Sequence, residues 1–590
     1  MQSEEIRSKF LEFFKKRDHM ILPSASLLPE NDPSVLFTTA GMQPLVPFLL
    51  GRVMPTQRRL ANIQKCVRTQ DIDEVGDNTH NTFFEMLGNW SLGDYFKKDA
   101  ISWTYEFFTS KEAGLGLDPN RIYVTCFEGD ENAPKDTESA EIWESIGIPK
   151  DRIYFLPAKN NWWQAGENGP CGPDTEIFYD LTKKGLGKMT KEEYLEADNK
   201  QEVVEIGNDV FMGYEKKNGV VVGKLKQQNV DFGGGFERLC MVSQGVANVF
   251  ATDLFQPIMA KINEFTTSAD EKAKRIVADH IRTAVFMIGD GVIPSNTDAG
   301  YILRRLLRRA VRFADKLEMK HDSLSWIAET VIEKYTIIYD SISKKRDLIR
   351  KEIDEEEQKF RKTLASGLKL FEKISEKHIS GEEAFDLFSS HGFPLEVTLE
   401  LAKEEGKTVD VAGFNKKFKE HQELSRKGAE QKFKGGLAGH SDKEVQYHTA
   451  THLLNSALRK VLGAHVEQKG SNITPDRLRF DFIHTAKMTD EEKKQVEEWI
   501  NAQIKAELPV SFREMPIIEA KELGAIGVFE DKYGEVVKVY SIGNEKTGIV
   551  SMELCGGPHV SNTSELKGTF KIQKEEAVSA GVRRIKAVLE

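Results

Sequence analysis

The chain has 590 residues, and its 82 Lys and Arg against 93 Asp and Glu give a formal net charge of −11 at pH 7. Its 34 Phe and 7 Trp exclude a disordered chain, and its apolar runs fall far short of the roughly 20 residues that cross a bilayer. Five scattered cysteines and a charged N-terminus without a signal-peptide pattern predict a cytoplasmic protein in a reducing compartment.

The composition changes along the chain in a way that predicts an α+β multidomain protein with about four units. Residues 1–240 combine short strand patterns, glycine turns and aromatic segments, as an α/β or α+β domain does. Residues 241–432 have helical patterns, with a long exposed helix predicted over 344–377. A glycine-rich linker is predicted over 433–443, and a second α+β domain over 444–590.

The first predicted domain contains three features that suit a bound nucleotide. Arg68 is followed by the aromatic pair Phe83 and Phe84, and Arg238 ends the sequence Gly-Gly-Gly-Phe-Glu-Arg that begins at Gly233. Glycines allow the backbone to approach a ligand closely, and arginines bind phosphate. The loop is neither a phosphate-binding loop of the Gly-Lys-Ser/Thr type nor a dinucleotide fingerprint. The pattern predicts a base stacked on phenylalanine and phosphates held by two arginines.

A basic helix is predicted over 301–313, within an otherwise acidic protein. Its leucines recur at helical spacing and predict a core-facing stripe. The remaining surface is then expected to carry five arginines: Arg304, Arg305, Arg308, Arg309 and Arg312. Such a run is often only a solvated face, but guanidinium groups also bind phosphate bidentately. Together with polar residues at 279–282 and 294–296, the run favours contact with an RNA backbone.

The last predicted domain contains a set of residues typical of a metal site. His448 and His452 are four residues apart on a predicted helix, and Cys555 and His559 follow a strand pattern far downstream. Chance spacing and a buried thiol are the alternative, but three imidazoles and one thiol are the ligands that Zn²⁺ prefers, with room for a water. A zinc peptidase is unsupported, because Thr449 stands where its catalytic Glu would be.

Longer motifs, which include several of these features, lie at residues 39–44, 82–89, 91–97, 169–173, 290–296, 300–309, 448–454 and 553–560. In this order, and over nearly the whole chain, they resemble the alanyl-tRNA synthetases. The resemblance implies a class II synthetase domain over 1–240, with an antiparallel sheet and flanking helices, and a helical tRNA-recognition domain over 241–432. It implies an α+β editing domain over 444–590, ATP with Mg²⁺ and one Zn²⁺ as cofactors, and alanine and tRNA(Ala) as partners, with no membrane.

The resemblance assigns three residues to ATP. Arg68 would bridge the α-phosphate and the alanine carboxylate, Phe84 would stack on adenine, and Arg238 would bind the phosphates. Physically, the Arg68 guanidinium would stabilise the charge that develops as the carboxylate attacks phosphorus. The implied reaction converts alanine and ATP to alanyl-adenylate and pyrophosphate, and then transfers alanine to the 3′ end of tRNA.

The resemblance also implies an alanine pocket and a separate editing site. Trp163 and Asn208 would line the pocket together with Arg68, and Asp231 would pair with the α-ammonium group. One methyl group is worth only about 1–3 kcal/mol of discrimination, and an apolar pocket rejects an added hydroxyl poorly. The four metal-site residues would therefore serve hydrolysis of mischarged Ser- and Gly-tRNA(Ala), with Gln468 as a polar residue of that site.

For tRNA selection, the resemblance implies that Asn296 reads the acceptor-stem G·U pair from the minor groove, where A-form RNA is accessible. The arginines of the basic helix would contact the same tRNA. Ser389 stands where many family members have an Asp that also reads this pair. Between Gly392 and His448 only 55 residues remain, without the family's barrel segment and its Glu-x-Gly-Gly-Gln stretch.

The family's C-terminal coiled coil and globular domain have no counterpart before residue 590, so we expect a monomer. Two other functions remain open at this point. Only the C-terminal half could act, as a deacylase of mischarged tRNA, or the chain could be a tRNA-binding regulator without catalysis. The presence of both Arg68 and Arg238 favours the ligase.

Overall fold

A largely antiparallel sheet with helices around it forms the centre of the N-terminal part of the chain. The computed structural model describes residues 1–29, 35–53, 56–374, 377–432, 441–484, 486–527, 536–544, 546–579 and 582–590. The chain divides into two units, Met1–Asp410 and Val411–Glu590. Each unit buries its own apolar clusters.

Nine of the described strands form the sheet of the first unit: β1 (Met20–Ile21), β2 (Arg59–Val67), β3 (Phe83–Leu92), β4 (Ile122–Phe127), β5 (Ile153–Leu156), β6 (Trp162–Gln164), β7 (Gly169–Asp180), β8 (Val203–Lys217) and β9 (Val220–Gly235). Their order is β1-β2-β3-β9-β8-β7-β4-β5, with β6 paired to β7. Only the outer pairs β1–β2 and β4–β5 are parallel. The predicted α+β class, with an antiparallel sheet and flanking helices, is confirmed.

The helices of the first unit are α1 (Ser3–Lys15), α2 (Val46–Leu49), α3 (Lys97–Thr109), α4 (Thr137–Ser145), α5 (Ala158–Asn161), α6 (Lys191–Asn199), α7 (Phe236–Gln244), α8 (Gln256–Phe265), α9 (Glu271–Gly289), α10 (Asp298–Lys316), α11 (Ser323–Tyr335), α12 (Asp340–Lys344), α13 (Arg346–Lys373), α14 (Gly381–His391) and α15 (Leu395–Glu404). The short strands β10 (His378–Ile379) and β11 (Thr408–Val409) pair in parallel. Helix α9 is buried along nearly its whole length, which suits its mostly apolar sequence.

The predicted long helix is present as α13, but it is not simply exposed. Glu356 and Glu357 are buried on this helix, and each carboxylate pairs with an arginine. Lys- and Glu-rich composition predicted a solvated helix, and the ion pairs explain how part of its charge is accommodated inside the unit.

The second unit contains two antiparallel sheets and four helices among its described residues. The helices are α16 (Val411–Lys432), α17 (Asp442–Leu462), α18 (Asp490–Lys505) and α19 (Ile517–Glu522). One sheet has the order β12-β13-β18-β17 and the other β14-β15-β16, with strands β12 (Gln468–Thr474), β13 (Arg477–Ile483), β14 (Val510–Pro516), β15 (Val536–Asn544), β16 (Gly548–Leu554), β17 (Phe570–Ser579) and β18 (Val582–Leu589). The alternation of Leu478, Phe480 and Phe482 puts all three into the core.

Most of the predicted linker, residues 433–440, lies outside the described residues. Its last two residues already belong to α17, whose first turn is capped by Ser441 and Glu444. The predicted division of 1–432 into a catalytic and a helical domain stays a prediction, because Met1–Asp410 forms one unit. None of the described helices has the length and apolar composition needed to cross a bilayer.

Candidate functional site

Arg68 and Phe84 lie together at one end of two paired strands. Phe84 of β3 is opposite Cys66 of β2, and Arg68 directly follows the end of β2. The Arg68 guanidinium carbon lies 5.0 Å from the centre of the Phe84 ring, within the range of a cation–π contact. Arg68 Nε donates to the Thr39 carbonyl oxygen at 3.3 Å, and its backbone N–H donates to the Thr82 carbonyl oxygen at 3.0 Å. Strand pairing thus brings the two predicted ATP residues together.

Arg238 approaches the same part of the sheet from α7. Gly235 of β9 is opposite Met86 of β3, and α7 begins at the next residue, Phe236. The Arg238 side chain is partly exposed and donates to the Glu205 carboxylate at 3.2 Å. The register therefore places a second arginine near the beginning of β3, with one carboxylate beside it.

The glycines of this region are closely packed by their neighbours. A Cβ atom at Gly233 would lie 3.2 Å from the Met86 Sδ atom, and one at Gly88, on the facing strand, would lie 2.4 Å from the Trp90 ring. Real Cβ atoms essentially never approach a ring carbon to 2.4 Å. Packing within the sheet therefore requires Gly88, which lies in the motif at 82–89.

The residues predicted to bind alanine lie on strands of this same sheet. Asp231 of β9 is opposite Trp90 of β3 and accepts a hydrogen bond from its Nε1 at 2.6 Å. Trp163 of β6 packs against the apolar cluster that contains Trp90. Asn208 of β8 donates to the carboxylate of Asp174 at 3.3 Å. Burial raises the pKa of Asp231 to about 7.

Two buried polar residues next to Asn208 were not singled out by the sequence pattern. Asn161 donates to Asp174 at 3.1 Å, so both Asp174 oxygens accept an asparagine side chain. The Oδ1 atoms of Asn161 and Asn208 are buried and have no hydrogen-bond partner within the described part of the chain. Open acceptors of this kind can receive a donor from a ligand. The sequence indication for Asp174 is its position, because it directly follows the motif at 169–173.

The arginines of α10 are mostly held by carboxylates of other elements. The pairs are Arg305 with Asp73 at 2.9 Å, Arg308 with Glu356 at 2.7 Å, Arg309 with Glu400 at 2.7 Å and Arg312 with Glu400 at 2.6 Å. Arg304 contacts the side chain of Asn296, which is exposed. Ser389 is exposed on α14, and the carbonyl of Gly392 at the end of that helix accepts from Arg308.

Two expectations about this basic region are wrong. Arg309 and Arg312 are buried, because Glu400 and Glu404 of α15 cover that side of the helix. The motif at 279–282, expected to offer donors to RNA, is buried within α9. The tRNA roles of Asn296, Arg304, Arg305, Arg308 and Arg309 stay predictions.

The second unit brings the four predicted metal ligands together. The ligand atoms of His448, His452, Cys555 and His559 all lie within 4.8 Å of one another. Cys555 Sγ is 3.4 Å from the Nε2 atoms of both His448 and His559. Burial lowers the pKa of His448 to about 3 and of His452 to about 4, so these imidazoles are neutral near pH 7, as metal ligands must be.

Surrounding groups orient these imidazoles. His448 Nδ1 donates to the Pro558 carbonyl oxygen at 3.0 Å, and His559 Nδ1 lies 3.1 Å from the Thr449 hydroxyl. His452 Nδ1 lies 3.6 Å from the Glu553 carboxylate, which also accepts from Asn455 at 2.9 Å. Contacts at Nδ1 leave Nε2 free to bind a metal, as in other His-ligated sites.

Three of these surrounding residues, Thr449, Asn455 and Glu553, were missed as site residues. Glu553 carried a signal, because it shares strand parity with Cys555. Gln468, by contrast, pairs with Phe482 of β13 and is half-buried, and its role in editing stays a prediction.

Comparison with known proteins agrees with this geometry. Residues 5–472 match the family of class II (A) tRNA synthetases, and residues 537–586 match the second additional domain of threonyl and alanyl tRNA synthetases. The chain is 48% identical over its whole length to the alanine–tRNA ligase of Borreliella afzelii, all of which is covered. The chain belongs to the alanine–tRNA ligase family. The alanine–tRNA ligase of Treponema denticola is 51% identical, with 100% of this chain and 99% of that protein aligned.

As a member of the alanine–tRNA ligase family, the chain is an aminoacyl-tRNA synthetase, and the predicted resemblance is confirmed. The family also contains longer members. The alanine–tRNA ligase of Thermotoga maritima is 39% identical over an aligned length of 709 residues, with 100% of this chain and 80% of that protein covered. The aligned length exceeds 590, so that protein has segments within the alignment that this chain lacks.

Proposed function

We propose that this chain ligates alanine to tRNA(Ala) through an alanyl-adenylate and removes mischarged serine and glycine at a second site. The observation that carries the proposal is that Arg68, Phe84 and Arg238 lie at the same end of the neighbouring strands β2, β3 and β9, in the sheet that also carries Asp231 and Asn208. An aromatic ring and two arginines suit a nucleoside triphosphate. A buried carboxylate, together with an amide oxygen that has no hydrogen-bond partner among the described residues, suits an ammonium group.

In the first step, a carboxylate oxygen of alanine attacks the α-phosphorus of ATP and forms a new P–O bond. The bond to the β-phosphate oxygen breaks, and pyrophosphate leaves with the electron pair. In the second step, the 3′-terminal ribose hydroxyl of the tRNA attacks the alanyl carbonyl carbon and gives its proton to solvent. The bond from that carbon to the phosphate oxygen breaks, and AMP leaves with the electron pair. Arg68 would neutralise charge on the α-phosphate throughout the first step.

Mg²⁺ would accompany the ATP phosphates and supply further charge neutralisation there. The carboxylate of Glu205, next to Arg238, is an oxygen ligand of the kind that Mg²⁺ prefers. Asp231 and Asn208 would hold the α-ammonium group of alanine, and Trp163, which packs against the apolar cluster around Trp90, would close the apolar side of the pocket.

At the second site, the thiol of Cys555 and the imidazoles of His448, His452 and His559 fit Zn²⁺ in number, type and spacing. Bound zinc would supply Lewis-acid chemistry for hydrolysis of an ester. The chain's own contribution is orientation, because Thr449, Pro558 and Glu553 contact the Nδ1 atoms of the three histidines.

The proposal is tested by alanine-dependent ATP–pyrophosphate exchange, followed by charging of tRNA(Ala) transcripts. We expect exchange with alanine and charging of a transcript with G·U at the third acceptor pair. Charging of the matched G·C transcript should be slower by about tenfold or more, since one mismatched contact costs roughly 1–3 kcal/mol. Absence of exchange would overturn the ligase proposal, and equal charging of both transcripts would remove the proposed role of Asn296.

Alanine binding should depend on pH through Asp231. The raised pKa of about 7 means that the carboxyl group is neutral below this pH and cannot pair with an ammonium group. We therefore expect the KM for alanine to fall by up to about tenfold as the pH rises from about 6 to 8. Asp231→Asn should remove this dependence. Asp209→Asn is the matched control, because burial also raises the pKa of Asp209 to about 7; a dependence lost in that variant instead would contradict the assignment.

A further inference from the structure

The polar motif Asp279-His280-Ile281-Arg282 in α9 remains unused by the proposed chemistry. The side chains of Asp279, His280 and Arg282 are almost completely buried, so they do not reach an RNA. Burial of an arginine, a histidine and an aspartate is costly unless each finds polar partners. Several of their partners lie on the elements that carry the predicted ATP residues.

Arg282 joins the backbone of β3 to the first turn of α7. Its Nη1 donates to the Phe83 carbonyl oxygen at 3.1 Å, its Nη2 donates to the Glu237 carboxylate, and its Nε donates to the Tyr335 hydroxyl at 3.1 Å. Phe83 and Glu237 are the residues directly before Phe84 and Arg238. One guanidinium group therefore holds both predicted ATP-binding segments.

Glu237 completes this arrangement on the other side of Phe84. Its carboxylate accepts the backbone N–H of Glu85 at 3.1 Å, in addition to the Arg282 contact. The carbonyl before Phe84 is thus held by Arg282, and the amide after it by Glu237. The pair fixes the strand on both sides of the ring that would stack on adenine.

Asp279, one turn earlier on α9, holds the Arg68 side of the site. Its Oδ1 accepts the backbone N–H of Thr82 at 2.9 Å, and the Thr82 carbonyl oxygen accepts the backbone N–H of Arg68 at 3.0 Å. His280 Nδ1 contacts the other Asp279 oxygen at 2.9 Å, and its Nε2 accepts from Arg309 of α10 at 2.8 Å. A continuous buried chain of hydrogen bonds therefore runs from α10 through α9 to the backbone of Arg68.

We propose that Asp279 and Arg282 are positioning residues of the adenylation site, Arg282 for Phe84 and Arg238 and Asp279 for Arg68. The inference rests on the proposed adenylation of alanine. A solely structural role would lower stability without a selective effect on either substrate. A positioning role predicts different kinetic effects for the two residues, because Phe84 and Arg238 would bind ATP whereas Arg68 would act on the charge formed in the reaction.

The experiment measures alanine-dependent ATP–pyrophosphate exchange with the full chain. Arg282→Lys keeps the charge but cannot bridge Phe83 and Glu237 with a planar fork. We expect its KM for ATP to rise about tenfold or more, with the KM for alanine within about twofold of the wild type, since a displacement of 1 Å can cost about 10²-fold. Asp279→Asn is expected to lower kcat by a similar factor with little change in the KM for ATP.

Arg361→Lys is the matched control. Arg361 is a largely buried arginine of the same unit that pairs with Glu357 at 2.8 Å on α13, and none of its described contacts involves an ATP-site residue. It should retain both KM values, and circular dichroism with thermal unfolding should establish that all variants are folded. An Arg282→Lys enzyme with a normal KM for ATP, or with equal changes for both substrates, would overturn the inference. Absence of exchange in the wild type would instead overturn the proposed function.

Discussion

Arg68→Ala is expected to lower alanine-dependent ATP–pyrophosphate exchange by at least about 10²–10³-fold, the usual cost of removing one group that stabilises transition-state charge. The guanidinium group lies against Phe84 and donates to the Thr39 carbonyl oxygen, while the backbone N–H of Arg68 donates to the Thr82 carbonyl oxygen. The effect should appear mainly in kcat, because the charge on the α-phosphate increases during attack by the carboxylate.

The same variant should hydrolyse Ser-tRNA(Ala) at the wild-type rate, because the metal cluster belongs to the other unit. Arg58→Ala is the control for loss of a positive charge outside the site, since Arg58 is exposed one residue before β2, at the opposite end of that strand from Arg68. Loss of both exchange and hydrolysis in Arg68→Ala would mean that the two activities do not divide between the two units. Unchanged exchange would remove Arg68 from the proposed mechanism.

The metal ligands could be predicted from the sequence because metal binding restricts residue type and spacing. His448 and His452 fall on one face of a helix at a spacing of four, and Cys and His are uncommon enough for their joint occurrence to carry information. Strand alternation likewise predicted the burial of Phe480 and Phe482. For the two phenylalanines the decisive pattern is local. For the metal site, the shared preference of Cys and His for zinc links parts that are distant along the chain.

The burial and the ion pairs of the α10 arginines could not be predicted from a local pattern. Helical periodicity separates an apolar stripe from the remaining surface, but it does not say which later helix covers that surface. Glu400, which pairs with Arg309 and Arg312, is about 90 residues away along the chain. The Asp279–Thr82 hydrogen bond spans 197 residues. Charged residues with such distant partners have the same sequence pattern as residues that bind RNA.

The arginines of α10 differ in burial and in their partners. Arg309 is buried and contacts His280 and Glu400, so its first role is internal, between α10, α9 and α15. Arg304 is only partly buried, and it contacts both the Glu356 carboxylate at 3.3 Å and the exposed Asn296. Within the predicted tRNA-binding set, Asn296 and Arg304 are the more exposed residues, and their contact with an acceptor stem stays a prediction.

Cys555→Ala is expected to raise the mischarging of tRNA(Ala) with serine while leaving the rate of alanine charging unchanged. Cys555 Sγ contacts both His448 and His559, at 3.4 Å from each, and it is the thiol of the second unit, because the other four cysteines belong to the first unit. Removal of a group that only orients a ligand usually costs 10–100-fold in metal affinity or activity, so removal of a ligand should cost at least about that much.

Two measurements check this expectation: bound zinc per chain by elemental analysis, and hydrolysis of Ser-tRNA(Ala). Both should fall together in Cys555→Ala. His465→Ala is the matched control, because His465 is an exposed histidine of the same unit that contacts His484 and lies outside the cluster. Because a bound metal stabilises the folded state, the melting temperature of the second unit should also fall in the Cys555 variant and with a chelator, but not in His465→Ala. Full hydrolysis without bound zinc would show that the cluster does not perform the editing chemistry, whereas loss of zinc with unchanged mischarging would separate the metal from editing altogether.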